Sequence, residues 1–472
     1  MKDLHAAVAL LLGLCLGPVH GDQLRPPVVS KPLNEDGGLQ DGTTLGVVNP
    51  GLFNVWGIPG TVNAADYGAK CDYNFVTKVG TDDTVALAVA ITAAQTNASA
   101  GIGRRLTLPG KACLTGPLTI TGQLSIEGQT SFGSALVLKA GSNDALITVQ
   151  TAGYNFPADG HPVGAIALRD LRLMSEDTNA LNATRPNAHG LKWDAGVWPV
   201  WLRLNEVTIY NMPGDGINSA ATSGFIEATR SYFVQNGGYG TSTNSTNDWR
   251  FIDCDWSLNK KENIQSSGDT GMYLSNPNIY SSSRYGIYAF SSDIKISGGS
   301  IDRNGFGGIL MESYAATRQL TITGGLTMGL NGVATAGTYS DIRIQNGSGR
   351  LAMAQVRFSS KPRALDAASP ILNNVTFAGG TVAASCFDCF YAAGDPAQAG
   401  VTNAPAQLLS LGIEGSVLSA RAPLRGQMLP LTAAPTAAGI PLGQWGVVKR
   451  SDDATVKVCA NDAGTIKCAL MQ

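Results

Sequence analysis

Two aspartates separated by a single residue, Asp253 and Asp255, are the first feature of this sequence that could do chemistry. Glycoside hydrolysis uses two carboxyl groups, one protonated to release the leaving oxygen and one ionised. Residues i and i+2 of a strand point to the same face and lie about 7 Å apart, close to the ~6.5–9.5 Å separation of an inverting pair. We therefore treat both aspartates as candidate catalytic residues.

Aromatic, amide and basic side chains near these aspartates are suited to holding a sugar, because rings stack on sugar faces and amides bind hydroxyl groups. The candidate substrate-binding residues are Trp249, Asn278, Tyr280, Arg284 and Tyr285. The alternative chemistry is that of a lyase, which needs a base near a uronate and often a calcium ion. Lys260, Lys261, Arg284, Tyr280 and Tyr285 would contribute to it. A hydrolase of this kind needs no cofactor, so calcium is expected only with the lyase.

The composition argues against several classes of protein. Lys and Arg number 33 and Asp and Glu 35 among 472 residues, a net charge of −2. A nucleic-acid-binding protein normally carries a basic surplus instead. Charged residues make up only 14%, and glycine is frequent at 57 residues. With 44% hydrophobic residues, this composition indicates short strands joined by tight turns rather than a helical bundle.

The N-terminal residues are typical of a secretory signal peptide. An apolar run from Ala6 to Leu16 follows Lys2, and Val19 and Gly21 place small or slim side chains ahead of a cleavage site. The run is too short to span a bilayer, and no later stretch is long enough to do so. We expect a secreted, periplasmic or cell-surface protein with no membrane insertion.

Seven cysteines remain once Cys15 is removed with the signal peptide. The odd number leaves at least one without an intramolecular partner. Cys459 and Cys468 flank a turn between alternating strands and suit a cross-strand disulfide, and Cys386 and Cys389 are close enough to pair. A zinc site would need a second CxxC or several histidines, so we predict no metal site.

A repeat of similar segments runs from about residue 165 to 380. Its marker is a position preceded by glycine or a turn residue, at 217, 240, 264, 287 and 309, with spacings of 23, 24, 23 and 22 residues. Eight residues before the markers stand Ile209, Tyr232, Trp256, Ile279 and Ile301. An apolar residue there in every copy is what the inward-facing column of a stacked parallel β-solenoid requires. The turn between carries Asn211, Asn236, Asn259 and Asn304, suited to left-handed backbone and to bonding between copies.

The register of this repeat predicts which side chains face outward. If Trp256 faces the core, then Asp253, Asp255 and Ser257 face outward, and Cys254 faces inward as a buried free thiol. Two copies later Asp302 falls on the same face, about 10 Å from Asp255 across coils spaced ~4.8 Å apart. Asp302 is therefore the third candidate catalytic residue. Asp255 is expected to act as acid or base, with Asp253 or Asp302 as its partner.

The segment near residue 60 supplies a resemblance to a known family. Thr81-Asp82-Asp83-Thr84 opens an alanine-rich amphipathic pattern that predicts an N-capped helix over residues 81–97. Together with Val62-Asn63-Ala64-Ala65-Asp66-Tyr67-Gly68-Ala69 and Leu108-Pro109-Gly110, it resembles the N-terminal signature of the pectate-lyase-like superfamily. More narrowly, it resembles the glycoside-hydrolase-28-related and phage-tailspike-type β-helices of that superfamily.

The resemblance implies an all-β fold, a three-sheet right-handed parallel β-helix with an N-terminal capping helix. It also implies a lateral groove for acidic or neutral polysaccharide. The Asp82-Asp83 pair would then have a structural, helix-capping role. The polygalacturonase series of Asn-x-Asp, paired Asp, Gly-His-Gly and Arg-x-Lys is not present, nor is the calcium and arginine pattern of pectate lyases. The resemblance therefore carries over the fold and not an active site.

These observations divide the chain into five segments. We predict a signal peptide at 1–21, an N-terminal arm or linker at 22–60, a β-helix at 61–390, a linker at 391–434 and a small C-terminal β-hairpin module at 435–472. The expected function is action on a polysaccharide, as an inverting glycoside hydrolase or a lyase, by a monomer or homotrimer. The alternative is a non-catalytic glycan-binding or tailspike-like adhesin that binds in the same groove without cleaving.

Overall fold

The chain winds through three long parallel sheets, one strand of each sheet per coil. The computed structural model describes residues 61–95, 104–150, 165–177, 181, 184–193, 201–219, 225–243, 248–268, 271–290, 292–312, 318–346 and 349–359, with short segments, mostly strands, between 373 and 470. Residues 1–60 lie outside the described part, so the signal peptide and the N-terminal arm remain predictions. The boundaries of the remaining segments also remain predictions.

The described strands are short, and they pair with strands of the coils before and after them. Sheet 1 contains Thr61–Asn63, Arg104–Thr107, Leu124–Glu127, Ala165–Arg169, Trp201–Asn205, Phe225–Thr229, Trp249–Ile252, Gly271–Ser275, Asp293–Ser297, Gln319–Thr323, Arg350–Ala354 and Ala383–Phe387. Sheet 2 contains Ala112–Thr115, Ala135–Leu138, Arg172–Ser175, Thr208–Tyr210, Tyr232–Val234, Asp255–Ser257, Asn278–Tyr280, Ser300–Asp302, Thr327–Gly329 and Arg357–Ser359. Sheet 3 contains Leu118–Ile120, Ile147–Val149, Leu191–Trp193, Ile217–Ser219, Thr241–Thr243, Ile264–Ser267, Ile287–Phe290, Ile309–Glu312, Ser340–Gln345, Asn373–Ala378 and Val401–Thr402. This is the predicted parallel β-helix.

The core is a stack of aligned apolar side chains between the three sheets. In sheet 2 the inward column consists of Ile209, Phe233, Trp256, Ile279 and Ile301, all 0% exposed and paired in register. The rings of Phe233 and Trp256 stack with centroids 5.2 Å apart. Four of the five predicted inward residues are therefore correct, and the close packing of rings and aliphatic chains is what stabilises successive coils.

The prediction of Tyr232 as an inward residue is wrong. Tyr232 is 41% exposed and Phe233 takes its place in the column. The reason is the marker in that copy, because Thr241 rather than residue 240 pairs with Ile217 and Ile264. Because Thr241 is buried although it is polar, the apolar pattern predicts the register of this coil one residue too early.

A left-handed residue follows five successive strands of sheet 1, from Ala165–Arg169 to Gly271–Ser275, and turns the chain into sheet 2. Asp170, Glu206, Arg230, Asp253 and Asn276 all have φ between 47° and 55°. The bend adds one residue to the in–out alternation, so side chains on the two sides of it no longer share parity. Phe251 before the bend is therefore buried, whereas Asp255 after it faces outward.

The turn from sheet 2 to sheet 3 contains a buried column of asparagine side chains. Asn236 Nδ2 donates to Asn259 Oδ1 at 3.0 Å, and Asn304 Nδ2 donates to Asn331 Oδ1 at 3.0 Å. The predicted bonding between copies is thus present for Asn236, Asn259 and Asn304. Asn211 lies outside this column, at the preceding left-handed position with φ 56°, and it also bonds to the neighbouring coil by donating to the carbonyl of Asp177. Of these four asparagines, Asn211 is the one with the predicted left-handed backbone.

The N-terminal end of the β-helix is covered by a helix, as predicted. The α-helix Thr84–Gln95 follows the 3-10 helix Ala64–Tyr67, and its Leu87 and Ile91 are buried in the core. Asp82 Oδ1 accepts from Thr84 N at 3.1 Å, and Asp83 accepts from the backbone N of Lys70 and of Cys71. Both aspartates therefore have the structural role that the resemblance implied.

The cysteines of the described residues fall into two groups. Cys254 is a buried free thiol, as predicted, and burial raises its pKa to about 12. Cys71 and Cys113 form a disulfide that the sequence analysis did not predict, and the buried Cys389 is also disulfide-bonded. The pairing of Cys389 with Cys386 remains a prediction.

The C-terminal strands differ from the β-helix because most of them are antiparallel. Leu411–Glu414 pairs with Val417–Ala420, and Leu429–Leu431, Trp445–Arg450, Val456–Asp462 and Thr465–Leu470 form a four-stranded sheet. Cys459 and Cys468 lie directly opposite each other in its last hairpin. Their register is the one that a cross-strand disulfide requires, and the bond itself remains a prediction.

Candidate functional site

Two outward columns of sheet 2 bring polar side chains from three coils together. Asp255, Asn278 and Ser300 pair in register in one column, and Ser257, Tyr280 and Asp302 pair in the next. Asp255 and Asp302 therefore lie on the same face of the same sheet, as predicted, and in adjacent columns. We call these six residues the sheet 2 site.

Hydrogen bonds run along the first column of the sheet 2 site. Ser300 Oγ donates to Asn278 Oδ1 at 2.6 Å, and Asn278 Nδ2 donates to Asp255 Oδ2 at 3.0 Å. The other oxygen, Asp255 Oδ1, is buried and has no hydrogen-bond partner among the described residues. Because a buried polar atom is normally paired, this oxygen is the point at which a ligand donor would be accommodated.

The electrostatics of the sheet 2 site favour a protonated carboxyl at Asp255. Burial is the main reason that the pKa of Asp255 rises to about 6, the hydrogen bond from Asn278 opposes the rise, and the charge of Asp302 adds to it. A carboxyl with such a pKa is protonated in part near neutral pH and can donate a proton to a leaving oxygen.

Asp302 occupies a different environment two coils away. It is 8% exposed and accepts from Arg303 Nη1 at 2.7 Å in an ion pair. Its position differs from the expected one because it is offset from Asp255 along the strand as well as across coils. The Cα atoms of Asp255 and Asp302 are thus about 12 Å apart rather than about 10 Å. The gap between their two carboxyl groups would have to be filled by a water or by the substrate.

Asp253 does not belong to the strand of Asp255. It is the left-handed residue of the bend, with φ 52°, and its Oδ1 accepts from Asn276 Nδ2 at 2.9 Å. The expected i, i+2 separation along one strand is therefore wrong for this pair. The structure assigns Asp253 to the edge of the face rather than to the sheet 2 site.

The prediction that Trp249 binds sugar is wrong. It is 1% exposed and packs in the core against Phe251, with ring centroids 6.1 Å apart. The extra residue at the bend explains the error. The prediction assumed that in–out alternation continues from Asp255 back to Trp249, but the bend at Asp253 interrupts it. The exposed ring that does lie in register with Asp255 is Tyr232, which the sequence analysis had placed inward.

Arg284 and Tyr285 lie in the turn that enters sheet 3 and are not part of the sheet 2 site. Arg284 Nε is 3.3 Å from Glu262 Oε1, and Tyr285 is only 7% exposed. Asn278 and Tyr280 are the predicted substrate-binding residues that the structure brings beside Asp255 and Asp302.

One cluster of metal-ligating residue types occurs among the described residues, formed by Cys71, Asp83 and Cys113. The two sulfur atoms are joined in a disulfide, and the oxygens of Asp83 accept backbone hydrogen bonds. This cluster therefore has no free ligand set for a metal ion. In the part of the chain that the structure describes, no helix is both long and apolar enough to cross a bilayer.

Comparison with known proteins agrees with this architecture. A family model described as "Right handed beta helix region" matches residues 195–348. The fold is therefore a right-handed parallel β-helix, as the resemblance implied. No curated protein matches the sequence.

Solved structures with a similar fold include two phage tailspikes. The enzymatically active domain of tailspike protein 2 from bacteriophage CBA120 is 12% identical, with a TM-score of 0.54 over 88% of this chain and 70% of that one. The gp42 tailspike of Acinetobacter phage vb_AbaP_AS12 is 9% identical, with a TM-score of 0.50 over 88% and 82%. The A-module of the Azotobacter vinelandii mannuronan C-5 epimerase AlgE4 is 16% identical, with a TM-score of 0.49 over 73% and 98%. At these identities the similarity concerns the fold alone.

Proposed function

We propose that this protein cleaves a polysaccharide at the sheet 2 site, as an inverting glycoside hydrolase. Asp255 would be the general acid, and Asp302, in an ion pair with Arg303, would be the general base that activates a water. The observation that carries the proposal is the buried, unpartnered Oδ1 of Asp255, a carboxyl whose pKa is raised to about 6 beside a second carboxylate. The structural similarity to an enzymatically active tailspike domain shows that this fold is compatible with catalysis.

The surrounding side chains are suited to orienting a sugar chain along the sheet. The amide of Asn278 and the hydroxyl of Ser300 bind hydroxyl groups, and the exposed ring of Tyr232 offers a face for stacking. Such a chain would run across successive coils, because the polar columns do. We also propose that the protein is exported, given its N-terminal apolar run, and acts as a monomer or homotrimer.

The test is a reducing-end assay on a panel of bacterial and plant polysaccharides. Asp255→Asn and Asp302→Asn are each expected to lower the rate on the order of 10²–10⁴-fold, the usual contribution of a positioned acid or base. Asp144→Asn, which changes an exposed carboxylate elsewhere on the β-helix, is the matched control and should leave the rate unchanged. Full activity of Asp255→Asn would contradict the proposal.

Two alternatives have specific outcomes in the same assay. A lyase would release unsaturated uronate products that absorb in the ultraviolet, and its rate would fall when calcium is removed with a chelator. A glycan-binding protein would retain polysaccharide without releasing any product, an outcome favoured by the wide offset between Asp255 and Asp302.

A further inference from the structure

We propose that the turns entering sheet 3 form a second binding site, for polysaccharide that carries carboxylate groups. It lies on a different part of the coil from Asp255 and does not depend on cleavage there. We call it the turn site, and it consists of Tyr239, Lys261, Glu262, Arg284, Tyr285, Phe306 and Tyr339.

The repeat brings the residues of the turn site together in two adjacent columns. Ile264, Ile287, Ile309 and Ile342 pair in register as the inward column of sheet 3. Three residues before them stand Lys261, Arg284, Phe306 and Tyr339. Two residues before successive inward positions stand Tyr239, Glu262 and Tyr285. Since neighbouring coils are ~4.8 Å apart, each column forms a stripe along the β-helix.

Arg284 is oriented by its neighbours, and its terminal nitrogens donate no hydrogen bond to another described residue. Its Nε is 3.3 Å from Glu262 Oε1, and its guanidinium lies over the ring of Phe306 at 5.5 Å. Within the described residues, the two terminal nitrogens donate no hydrogen bond, and the side chain is 48% exposed. A guanidinium held through Nε presents both terminal N–H groups as a fork, which matches the two oxygens of a carboxylate.

Lys261 forms a second cation–ring pair one coil below. Its Nζ lies over the ring of Tyr239 at 4.6 Å. Lys261 and Arg284 are therefore cations on adjacent coils of one column, with backbones about 5 Å apart, and an anionic ligand would stabilise both charges. One carboxylate beside each cation would place successive acidic sugars along the same stripe.

Aromatic rings continue the turn site beyond the two cations. Phe306 and Tyr339 stack with centroids 4.7 Å apart and an interplanar angle of 14°, and Tyr285 packs edge-on against both. Phe306 and Tyr339 are each partly exposed. A partly exposed stack of rings next to cations offers apolar area to the faces of sugars whose acidic groups the cations hold.

Glu262 supplies an independent sign of a ligand. The residue is 2% exposed, and its Oε2 is buried without a hydrogen-bond partner in the described part of the chain. Oε1 faces Arg284, so Oε2 is the acceptor left over within the turn site. A sugar hydroxyl is the donor that would satisfy it, as native buried oxygens normally are satisfied.

Binding is best measured on the full chain with Asp255→Asn, so that cleavage at the sheet 2 site cannot affect the result. Isothermal titration with polygalacturonate, alginate, a neutral glucan and dextran sulfate compares the ligand classes. We expect binding of one or both uronate polymers, no binding of the neutral glucan, and weaker binding of dextran sulfate, whose charged groups do not fit the guanidinium fork as a planar carboxylate does.

Arg284→Gln should weaken uronate binding by roughly tenfold or more, and Arg284→Lys should restore only part of it because the fork is lost. Lys111→Gln removes the same charge from an exposed residue outside the two columns and is the matched control. Unchanged binding by Arg284→Gln, equal loss in Lys111→Gln, or equal affinity for dextran sulfate or the neutral glucan would overturn the proposal. Failure of the hydrolase assay would leave each of these outcomes unaffected.

Discussion

Two aspartates of this β-helix, Asp341 and Asp255, both accept hydrogen bonds from asparagine side chains, Asp341 inside the coil and Asp255 on its outer face. Asp341 is 0% exposed and accepts from Asn331 Nδ2 at 2.7 Å and from Asn374 Nδ2 at 3.2 Å, one bond to each oxygen. Asp255 accepts from Asn278 at one oxygen, while the other has no partner in the described residues. Both aspartates thus accept from asparagine amides, but within the described residues only Asp341 has a hydrogen bond at each oxygen.

The difference shows which property marks a functional carboxylate in this fold. Burial raises the pKa of Asp341 to about 7 and that of Asp255 to about 6, so a raised pKa does not distinguish them. Asp255 differs because its Oδ1, on the outer face, has no hydrogen-bond partner among the described residues. The charge of Asp302 also acts on this carboxyl group. A buried carboxylate with both oxygens satisfied ends the asparagine column and has a structural role.

The largest expected effect is on catalysis. Asp255→Asn should lower polysaccharide cleavage on the order of 10²–10⁴-fold, because an amide cannot deliver the proton. Asp341→Asn keeps the shape of the interior residue and should leave the rate per folded molecule unchanged. Reducing-end assays on both purified variants, normalised to the folded fraction, measure this. Equal losses in the two variants would abolish the distinction between the two aspartates.

The second effect concerns stability, for which Asp341 is expected to matter more than Asp255. Asp341→Ala should destabilise the β-helix by about 2–4 kcal/mol, since it opens a cavity and removes an acceptor from the buried Asn331 and Asn374. Asp255→Ala should change stability by less than about 1 kcal/mol, because its surroundings are partly exposed. Thermal unfolding at pH 6 compares the variants. A larger loss of stability in Asp255→Ala than in Asp341→Ala would mean that Asp255, and not Asp341, has the structural role.

Much of the fold could be predicted from the sequence because the β-helix repeats itself. The period, the inward column, the buried thiol of Cys254 and the capping helix all follow from side chains that recur or cluster locally. Register was lost in one coil, where the buried Thr241 does not follow the apolar pattern. Polar side chains can face inward when stacked copies satisfy them, so hydrophobicity alone cannot locate every coil.

The site could be predicted only in part, for a geometric reason. Asp255, Asn278, Tyr280 and Asp302 lie on one sheet after the bend, so alternation placed them correctly together. Trp249 and Asp253 lie before or at the bend, where a left-handed residue changes the parity that alternation assumes. Glu262 and the aromatic residues of the turn site precede strands of sheet 3, and only the exact register of five coils shows that they align.

The third effect concerns how stability depends on pH. The pKa of Asp255 in the folded protein, about 6, is above its ordinary value of 3.8, so the folded state binds this proton more tightly. The stabilisation is complete below pH 3.8 and is lost as pH rises through about 6. Asp255→Asn should therefore increase stability at pH 8 by about 1–2 kcal/mol, after allowance for partial exposure, and by little at pH 4. Thermal unfolding across this range measures the difference, and a variant less stable than wild type at pH 8 would contradict the sign.

The smallest effect tests the electrostatic link between the two carboxyls of the sheet 2 site. Asp302→Asn removes the negative charge that helps to raise the pKa of Asp255, so that pKa should fall by a fraction of a pH unit. Burial, the main cause of the raised pKa, is unchanged. The stability difference between Asp302→Asn and the double variant Asp302→Asn/Asp255→Asn, followed against pH, reports the Asp255 transition without requiring activity. Its midpoint should lie below that of the wild type and Asp255→Asn pair, whereas coincident midpoints would mean that the two carboxyls do not interact and could not share one reaction.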